Sequence, residues 1–377
     1  MNNFNEKELL DILKDLLNIY SPTKNEKNVA NHIVKFLEKL GAEIYLDNSF
    51  DKYDGNAPTI FAKIKGTLEG EGVTFSAHMD VVEPNEGLKI IHEGNIIKTD
   101  GTTTLGGDDK AGIAAILYSV KYIIENNIDH EDIYLVFTPG EEKGMLGARN
   151  INWEEVYKHI NPAKNTIVVD NAGKAEYVAY QAPTCTNYLL KVKGRTAHAG
   201  LAPEEGINAI KIISEIVTNM KSGRIDELTT ANVSEINSKF PTNVVPDMAT
   251  AYGEIRSHSY EKVEELLKEY EKIGNTISKK YGGSFEIEAE KQYPLLNTKD
   301  DLKFAKEFIE VYKTVGVEAS LQVIGGGSDA NFFAGEGFNS IIIGVGMQKV
   351  HTTDEYLEVE ELLKTTKALI EYLSQEA

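Results

Sequence analysis

The sequence predicts an α/β protein in which a discontinuous α/β/α sandwich domain contains an inserted ferredoxin-like α+β domain. Short apolar runs alternate with helical segments in the first half of the chain, which is typical of an α/β sheet protein. The pattern of predicted strands and helices changes near Ala182, and the alternating α/β pattern resumes after Pro294. The length of 377 residues exceeds what one hydrophobic core usually supports. We therefore expect residues 1–181 and 294–377 to form one domain and residues 182–293 the other.

Three apolar runs in the first part of the chain predict strands of the larger sheet. They are the short β-like segment Val73–Ala77 and the runs Ile133–Phe137 and Thr166–Val169, and the last two are typical of strands buried on both faces. Ala111–Ile124 predicts a long apolar helix, and Ser340–Val345 predicts a further strand near the end of the chain. Alternation of strands and helices places helices on both sides of the sheet.

The first turn of an early helix is predicted from a capping box. Thr23 and Glu26 have the spacing at which each side chain bonds the backbone N–H of the other residue. Val29, Ile33 and Leu37 follow at helical spacing. The pattern therefore predicts that a helix begins at this point.

The segment between Ala182 and Pro294 predicts a separate, smaller domain. Its helices are expected near Asn208–Met220 and Glu261–Lys279. Its strands are expected near Tyr188–Val192, Thr230–Ile236, Ala249–Arg256 and Ser284–Ala289. The resulting order, β-α-β-β-α-β, is that of a ferredoxin-like sandwich.

Composition and charge exclude several classes of protein. The formal net charge is −20, from 59 acidic and 39 basic residues, so nucleic acid is not an expected partner. Hydrophobic residues make up 41% of the chain, yet no segment has the roughly 20 consecutive apolar residues of a membrane span. The start of the chain lacks the pattern of a signal peptide. Cys185 is the one cysteine, which suits a reducing compartment, and we expect a cytoplasmic protein.

Acidic and histidine residues follow the ends of the predicted apolar strands, where sites form in open α/β sheets. Each residue alone has an ordinary explanation as a helix cap, a turn or a strand-end polar group. Together, histidine and carboxylate ligands suit zinc, manganese or cobalt better than calcium. The candidate residues are His78 and Asp80, Asp108 and Asp109, Glu141 and Glu142, Asp170, and His351.

Two of these clusters suggest a division of labour. Residues two apart on an extended chain point the same way, so Asp80 can reach the ring nitrogen of His78 that faces away from a metal. Glu141 and Glu142 are adjacent on a predicted loop. One can bind a metal while the other takes a proton. A carboxylate that bridges two metals would let them activate a shared water and clamp a substrate carbonyl.

The order of these motifs resembles the metal-site series of the M20 metallopeptidase family, and most of all its tripeptidase T branch. The resemblance spans nearly the whole chain, from Ser21-Pro22-Thr23 to Tyr356. It implies that the discontinuous domain is catalytic and that the inserted domain is a lid and dimerisation domain. The motifs that carry it are His78-x-Asp80, Gly107-Asp108-Asp109-Lys110-Ala111-Gly112, Glu141-Glu142, Asp170 and His351.

The resemblance also implies a ligand set for two divalent metal ions. His78 and Asp170 would bind one metal, Glu142 and His351 would bind the second, and Asp108 would bridge both. Zinc is the first expectation, with manganese and cobalt as alternatives.

The catalytic roles implied by the resemblance fall to two further residues. Glu141 would be the general base that deprotonates the bridging water and passes the proton to the leaving amine. Asp80 would hold the ring of His78. The family pattern further implies a cis peptide bond between Asp108 and Asp109.

Substrate contacts are predicted mainly in the inserted domain. His198 matches the lid histidine of the family, which polarises the scissile carbonyl and in dimeric members comes from the partner subunit. This match implies a homodimer. Asn243 and Arg256 would bind a carbonyl or carboxylate of the peptide. The glycine-rich loop that contains Gly326 and Ser328 would lie against the substrate backbone.

The leading hypothesis is a dinuclear-metal aminopeptidase that cleaves the N-terminal bond of short peptides, with tripeptides first. The alternatives within the family are a carboxypeptidase, a dipeptidase or an N-acyl amino-acid deacylase, because one metal site serves all of them. A non-catalytic metal-binding dimer scaffold is the alternative from another class. It is disfavoured because Glu141 and every ligand position are filled. The sequence does not identify the group that holds the amino terminus of the substrate.

Overall fold

The computed structural model describes residues 3–298 and 301–375. The chain forms two compact units. The first comprises the chain up to Gln181, Leu296–Ile324 and the chain from Ser328 onwards. The second comprises Ala182–Leu295 together with Gly325–Gly327. The sequence places these three glycines in the other domain, but Gly327 packs against the ring of Tyr293 and so joins the second unit.

The helices are amphipathic, except for the third, which is apolar on nearly all sides. In chain order they are α1 Glu6–Leu17, α2 Lys27–Lys39, α3 Gly107–Glu125, α4 Leu146–Asn150, α5 Trp153–His159, α6 Ala209–Asn219, α7 Tyr260–Tyr281, α8 Lys303–Thr314, α9 Asp329–Gly335 and α10 Val359–Leu373. Short 3-10 helices lie at Ser49–Tyr53, Glu141–Lys143 and Pro203–Glu205.

Most of the predicted strands are longer in the structure by one or a few residues, but the strand predicted over Ser340–Val345 ends at Gly344. The strands of the described residues form three sheets. In chain order they are β1 Glu43–Asp47, β2 Thr59–Ile64, β3 Val73–His78, β4 Ile91–Glu93, β5 Ile96–Lys98, β6 Ile133–Thr138, β7 Asn165–Asn171, β8 Tyr177–Ala182, β9 Thr184–Lys193, β10 Gly223–Asp226, β11 Thr229–Asn237, β12 Met248–Ser257, β13 Ser284–Tyr293, β14 Leu296–Asn297, β15 Ser320–Val323, β16 Asn339–Gly344, β17 Met347–Gln348 and β18 Tyr356–Glu358.

The large sheet of the first unit confirms the predicted mixed α/β fold. Within the described residues its nine strands follow the order β1-β2-β6-β3-β7-β16-β8-β14, and β15 pairs with β8. Strands β6, β3, β7 and β16 are parallel to their neighbours in this central run. Their carboxyl ends therefore meet at one edge of the sheet, which is where functional side chains collect.

Side chains of the large sheet alternate between two helix-covered faces. Ile60 and Ala62 of β2 join the core that α1, α3 and α10 cover, whereas Phe61 between them packs against Trp153 of α5. Trp153 also contacts Phe338. Helix α3 is apolar on most sides because it is buried between strands β3 and β7 on one side and helices α1 and α10 on the other.

A small four-stranded sheet accompanies the large one in the first unit. Its order is β17-β18-β5-β4, and all its pairs are antiparallel. Strand β18 begins at Tyr356. The preceding residue, Glu355, is therefore fixed in position by the start of this strand. That placement matters for the site described below.

The second unit has one antiparallel sheet with helices on one face. The strand order is β10-β11-β12-β9-β13. Ile255 of β12 and Leu190 of β9 pack in the core with α6 and α7. The sequence of elements is β-α-β-β-β-α-β, because β10 adds an edge strand that the sequence pattern did not indicate. Strand β10 is short and its residues are mostly exposed, so it carries no apolar periodicity.

The predicted capping box is wrong. Helix α2 begins at Lys27, and its N-cap residue, Glu26, makes no side-chain capping hydrogen bond. The hydroxyl of Thr23 instead donates to Asp80 Oδ2 at 2.7 Å. Glu26 accepts a hydrogen bond from the backbone N–H of Lys24 at 2.9 Å. Thr23 thus bonds Asp80, a distant residue of the candidate site, and not the first turn of the helix.

The α-helices of the described residues range from 5 residues in α4 to 22 residues in α7. None of them within residues 3–298 and 301–375 is long and apolar enough to cross a bilayer.

Candidate metal centre

The candidate ligands meet at the carboxyl edge of the large sheet. His78 is the last residue of β3, and it lies opposite Thr138, the last residue of the parallel strand β6. Glu141 and Glu142 follow β6 in a 3-10 turn. Asp170 lies near the end of β7, which pairs with β3 on its other side. Parallel pairing therefore brings together side chains that are up to about 90 positions apart.

Each of the five predicted ligands lies within 3.6 Å of at least one other ligand. His78 Nε2 is 3.0 Å from Asp108 Oδ1 and 3.6 Å from Asp170 Oδ1. His351 Nε2 is 3.2 Å from Asp108 Oδ2 and 2.9 Å from Glu142 Oε2. The two oxygens of Asp108 thus face two different histidines. A carboxylate in this position can bridge two cations.

Asp109 is a neighbour of these ligands that the predicted set did not include. Ligand atoms of His78, Asp109 and Asp170 lie within 4.8 Å of one another. However, Asp109 Oδ2 accepts from the backbone N–H of His78 at 3.3 Å, and Oδ1 accepts from that of Gly112 at 3.1 Å. The carboxylate is therefore occupied in joining β3 to α3. The Asp108–Asp109 peptide bond is cis, as the resemblance implies.

Asp80 connects the histidine to the glutamate turn. Its Oδ1 lies 3.3 Å from His78 Nδ1 and accepts from the backbone N–H of Glu141 at 2.8 Å. Its Oδ2 accepts from Thr23 and, at 3.2 Å, from the backbone N–H of Glu142. Burial opposes ionisation, but these hydrogen bonds outweigh it and lower the pKa of Asp80. The carboxylate of Asp80 thereby positions the turn that carries Glu141, and it orients His78 together with the Asp80 carbonyl, which lies 3.0 Å from His78 Nδ1.

Glu355 holds the start of α3, a role that the sequence pattern did not predict. Its carboxylate accepts from the backbone N–H groups of Leu105 at 2.8 Å, Gly106 at 2.9 Å and Asp108 at 3.0 Å. Its side chain is buried. The available signal was an acidic residue four positions after His351, directly before an extended segment. That signal says nothing about which loop the side chain binds.

Burial and mutual repulsion shape the protonation of the cluster. Burial raises the pKa of Glu142 to about 7, against a hydrogen bond from His351. Burial also raises the pKa of Asp170 to about 6, and burial beside Asp170 raises the pKa of Glu141. Hydrogen bonds to Asp108 and Glu142 raise the pKa of His351 to about 10. Concentrated acidic charge therefore favours positive charge at this edge of the sheet.

The donor set fits divalent cations. Imidazole nitrogens and carboxylate oxygens are ligands that suit zinc, manganese and cobalt in proteins. Glu142 Oε1 is buried and has no hydrogen-bond partner within the described residues, so one oxygen is left for a cation. His351 has a φ of 64°, a left-handed conformation that non-glycine residues adopt rarely and often at functional sites. Ligand atoms of His78, Asp108 and Glu142 lie within 4.8 Å of one another.

Two of the predicted substrate residues of the second unit lie close together in its fold. His198 is exposed and forms a backbone bridge with Val244. The backbone N–H of Ala199 donates to the carbonyl of Asn243 at 2.9 Å. Arg256 lies on β12 and pairs with Glu254. Their contact with substrate stays a prediction.

The two predicted residues of the glycine-rich loop have different surroundings. A Cβ atom on Gly326 would meet nothing within 4 Å, so space is open beside its backbone. Ser328 belongs to the first unit, where its buried hydroxyl accepts from the backbone N–H of Ala330 at 3.2 Å and caps α9. The observed role of the Ser328 side chain is thus a helix cap.

The mixed α/β fold and this cluster of ligand-type side chains are those of a metal-dependent peptidase. Comparison with known families bears this out. The model of "Peptidase family M20/M25/M40" matches residues 74–375. The chain belongs to this family, as the order of the motifs predicts.

Several relatives resemble the chain over nearly its whole length. YqjE of Bacillus subtilis, an uncharacterized protein, is 35% identical, with 99% of each chain covered. The crystal structure of aminopeptidase PepT from Bacillus cereus is 33% identical, with a TM-score of 0.91 and 98% of each chain covered. A tripeptidase structure from Staphylococcus aureus is 32% identical, with a TM-score of 0.92 and the same coverage. The predicted likeness to the tripeptidase T branch is confirmed.

Proposed function

We propose that the protein is a dinuclear-metal aminopeptidase that cleaves the N-terminal peptide bond of short peptides, with tripeptides as its main substrates. The observation that carries this proposal is the position of Asp108, whose two oxygens face His78 and His351 at 3.0 and 3.2 Å. The likeness to proteins described as an aminopeptidase and a tripeptidase supports the substrate class.

The five ligands divide into two sets around the shared aspartate. His78 and Asp170 would hold one metal, Glu142 and His351 would hold the other, and Asp108 would contact both. Zinc is the first expectation for both positions, with manganese and cobalt as alternatives. When bound, the two metals would polarise the scissile carbonyl and increase the acidity of a water between them.

Glu141 is the proposed general base. It lies in the turn that Asp80 holds through the backbone N–H groups of Glu141 and Glu142. Burial raises its pKa, which brings a carboxyl group closer to the range in which it both accepts and returns a proton near neutral pH. It would take the proton of the attacking water and give it to the leaving amine.

The second unit is proposed as a lid and dimerisation domain that supplies substrate contacts. His198 would polarise the scissile carbonyl, and a homodimer formed through this unit would supply it from the partner subunit. Asn243 would bind a peptide carbonyl, and Arg256 would bind the carboxylate of the substrate. Gly326 and Ser328 of the glycine-rich loop would lie against the substrate backbone.

A substrate panel tests the proposal. The purified protein, loaded with zinc, manganese or cobalt, is offered dipeptides, tripeptides, tetrapeptides, N-blocked peptides and N-acetyl amino acids. We expect release of the N-terminal residue from unblocked tripeptides. Preferred hydrolysis of N-acetyl amino acids would identify a deacylase instead, and release of the C-terminal residue from N-blocked peptides would identify a carboxypeptidase. Light scattering of the wild type tests the homodimer.

A further inference from the structure

A β-bulge turns Tyr293 toward the face of the second unit's sheet that α6 and α7 do not cover. Along β13, Phe285 and Ile287 pack toward the core beneath those helices. The register between β13 and β9 shifts between Lys291 and Tyr293, so that Tyr293 lies opposite Cys185. A bulge of this kind re-aims a side chain to the other face.

Arg256 shares this face with Tyr293. It lies opposite Cys185 from the other side, on β12, while its neighbour Ile255 packs in the helix-covered core. Because paired residues share a face of a sheet, Tyr293, Cys185 and Arg256 form one row. The backbones of Tyr293 and Arg256 are two strand spacings apart, roughly 10 Å, a gap that two long side chains can close over a cysteine.

The hydroxyl of Tyr293 is buried beside the thiol of Cys185. The side chain is buried, with 7% of its surface exposed, and its Oη makes no hydrogen bond within the described residues. The neighbouring thiol of Cys185 is a weak acceptor. Buried tyrosine hydroxyls normally have a partner, so this one is suited to a ligand that supplies an oxygen acceptor.

One edge of the Arg256 guanidinium is bonded to Glu254, and its other N–H donors are available to a ligand. Glu254 accepts from its Nε at 2.8 Å and from its Nη2 at 3.2 Å. A guanidinium carries five N–H donors in one plane, so the donors of Nη1 and the second donor of Nη2 point away from Glu254. These can take a carboxylate in a two-pronged contact. Because Glu254 already balances the charge of Arg256, a second donor beside it adds to the selection of an anionic group.

The glycine-rich loop fixes the ring of Tyr293 and leaves space beside it. A Cβ atom on Gly327 would lie 2.6 Å from the Tyr293 ring, whereas one on Gly325 or Gly326 would meet nothing within 4 Å. The loop therefore supports the ring through Gly327 and leaves an open strip of backbone next to it. Both Gly325 and Gly326 are exposed.

We infer that Tyr293 is a substrate-binding residue whose hydroxyl donates to the C-terminal carboxylate that Arg256 binds. The inference rests on the proposed function and deepens it. Recognition of a free carboxylate by two donors, Tyr293 and Arg256, would limit the length of the peptide that is cleaved. It would also make the enzyme discriminate between a tripeptide and the same tripeptide with a C-terminal amide.

The test compares these two substrates in wild type and Tyr293→Phe, both loaded with metal. Loss of a hydrogen bond to a charged group weakens binding about tenfold or more. We therefore expect KM for the free-acid tripeptide to rise about tenfold with little change in kcat. We expect KM for the amide to change less than about twofold. The phenyl ring keeps its packing against Gly327, so the variant is expected to fold.

Two further variants sharpen the result. Gly327→Ala displaces the Tyr293 ring and should raise KM for the free acid more than for the amide. Tyr270→Phe is the matched control, because the Tyr270 hydroxyl donates to the carbonyl of Lys221 in the helix-covered part of the same unit. It should lower the thermal midpoint without distinguishing the two substrates.

Specific outcomes would overturn the inference. If Tyr293→Phe leaves both KM values unchanged, or raises both equally, the hydroxyl does not contact the carboxylate. A wild type that hydrolyses no peptide would instead refute the proposed function, and the inference with it. The two failures are distinguishable, because the first occurs in an active peptidase.

Discussion

The backbone N–H of Asp108 donates to the carboxylate of Glu355 at 3.0 Å, across 247 positions of the chain. The same carboxylate accepts from Leu105 and Gly106. Asp108 is the proposed bridge between two metals, so its backbone position sets the geometry of the whole centre. That position depends on a side chain at the edge of the small sheet, which is outside the ligand set.

Glu355→Gln should weaken metal binding. The amide keeps the size of the side chain, but it loses the negative charge and one of the two acceptor oxygens that three N–H groups share. Residues that support metal ligands in this way typically contribute about 10- to 100-fold to affinity, and we expect a loss of that size for zinc, measured by competition with a chelator. Asp354→Asn is the control, since the Asp354 side chain is 77% exposed. Equal zinc affinity in wild type and Glu355→Gln would contradict the role assigned to Glu355.

Glu141→Gln should separate catalysis from metal binding. The variant loses the proton acceptor but none of the five proposed ligands, so metal content should stay the same while kcat falls about 10³-fold. Elemental analysis and steady-state kinetics provide the two measurements. Glu142→Gln is the contrast, because it removes a proposed ligand and should reduce metal content as well. Activity like that of the wild type in Glu141→Gln would rule out the proposed base.

Zinc binding should release protons at pH 7. Hydrogen bonds to Asp108 and Glu142 raise the pKa of His351 to about 10, so the imidazole is protonated at pH 7, and it must lose that proton to bind a metal. Affinity should therefore rise as the pH increases from 7 toward 10. Titration calorimetry in buffers of different ionisation enthalpy measures the released protons. His351→Gln should release fewer, and a binding enthalpy independent of the buffer would refute the prediction.

Glu26→Gln should stabilise the protein, and more so at higher pH. Burial, together with the nearby charge of Asp80, raises the pKa of Glu26 from its ordinary value of 4.5 to about 8. The folded protein therefore keeps a proton that the unfolded chain releases above pH 4.5, and stability falls as the pH rises toward 8. Glutamine resembles the protonated acid and avoids this loss, which is on the order of 1 kcal/mol or more.

Thermal unfolding of Glu26→Gln at pH 5 and pH 8 provides the measurement. The difference in thermal midpoint from wild type should be larger at pH 8. Glu38→Gln, at an exposed position of the helix α2 that follows Glu26, should show no such pH-dependent gain. A destabilised Glu26→Gln at pH 8 would mean that Glu26 is ionised in the folded protein.

Much of the fold could be predicted from the sequence because burial leaves a local pattern. The sequence predicts a strand at Val73–Ala77 and a buried strand at Ile133–Phe137, and the structure extends each by a single residue. Those strand ends are followed by His78 and Glu141, so a site at the sheet edge was predictable as well. The family was predictable because its motifs occur in order along the chain, and comparison with the family model confirms it.

The sequence by itself thus determined the mixed α/β fold, the family and the residues available for chemistry. Tertiary structure alone decided which distant partner each polar side chain has. Thr23 bonds Asp80 instead of capping a helix, Glu355 accepts from the backbone of Asp108, and a bulge places Tyr293 on the same face as Arg256. Periodicity in a sequence reports which face of an element is buried. It does not report which distant loop a polar side chain reaches or where a strand register shifts, because those outcomes depend on the packing of the whole unit.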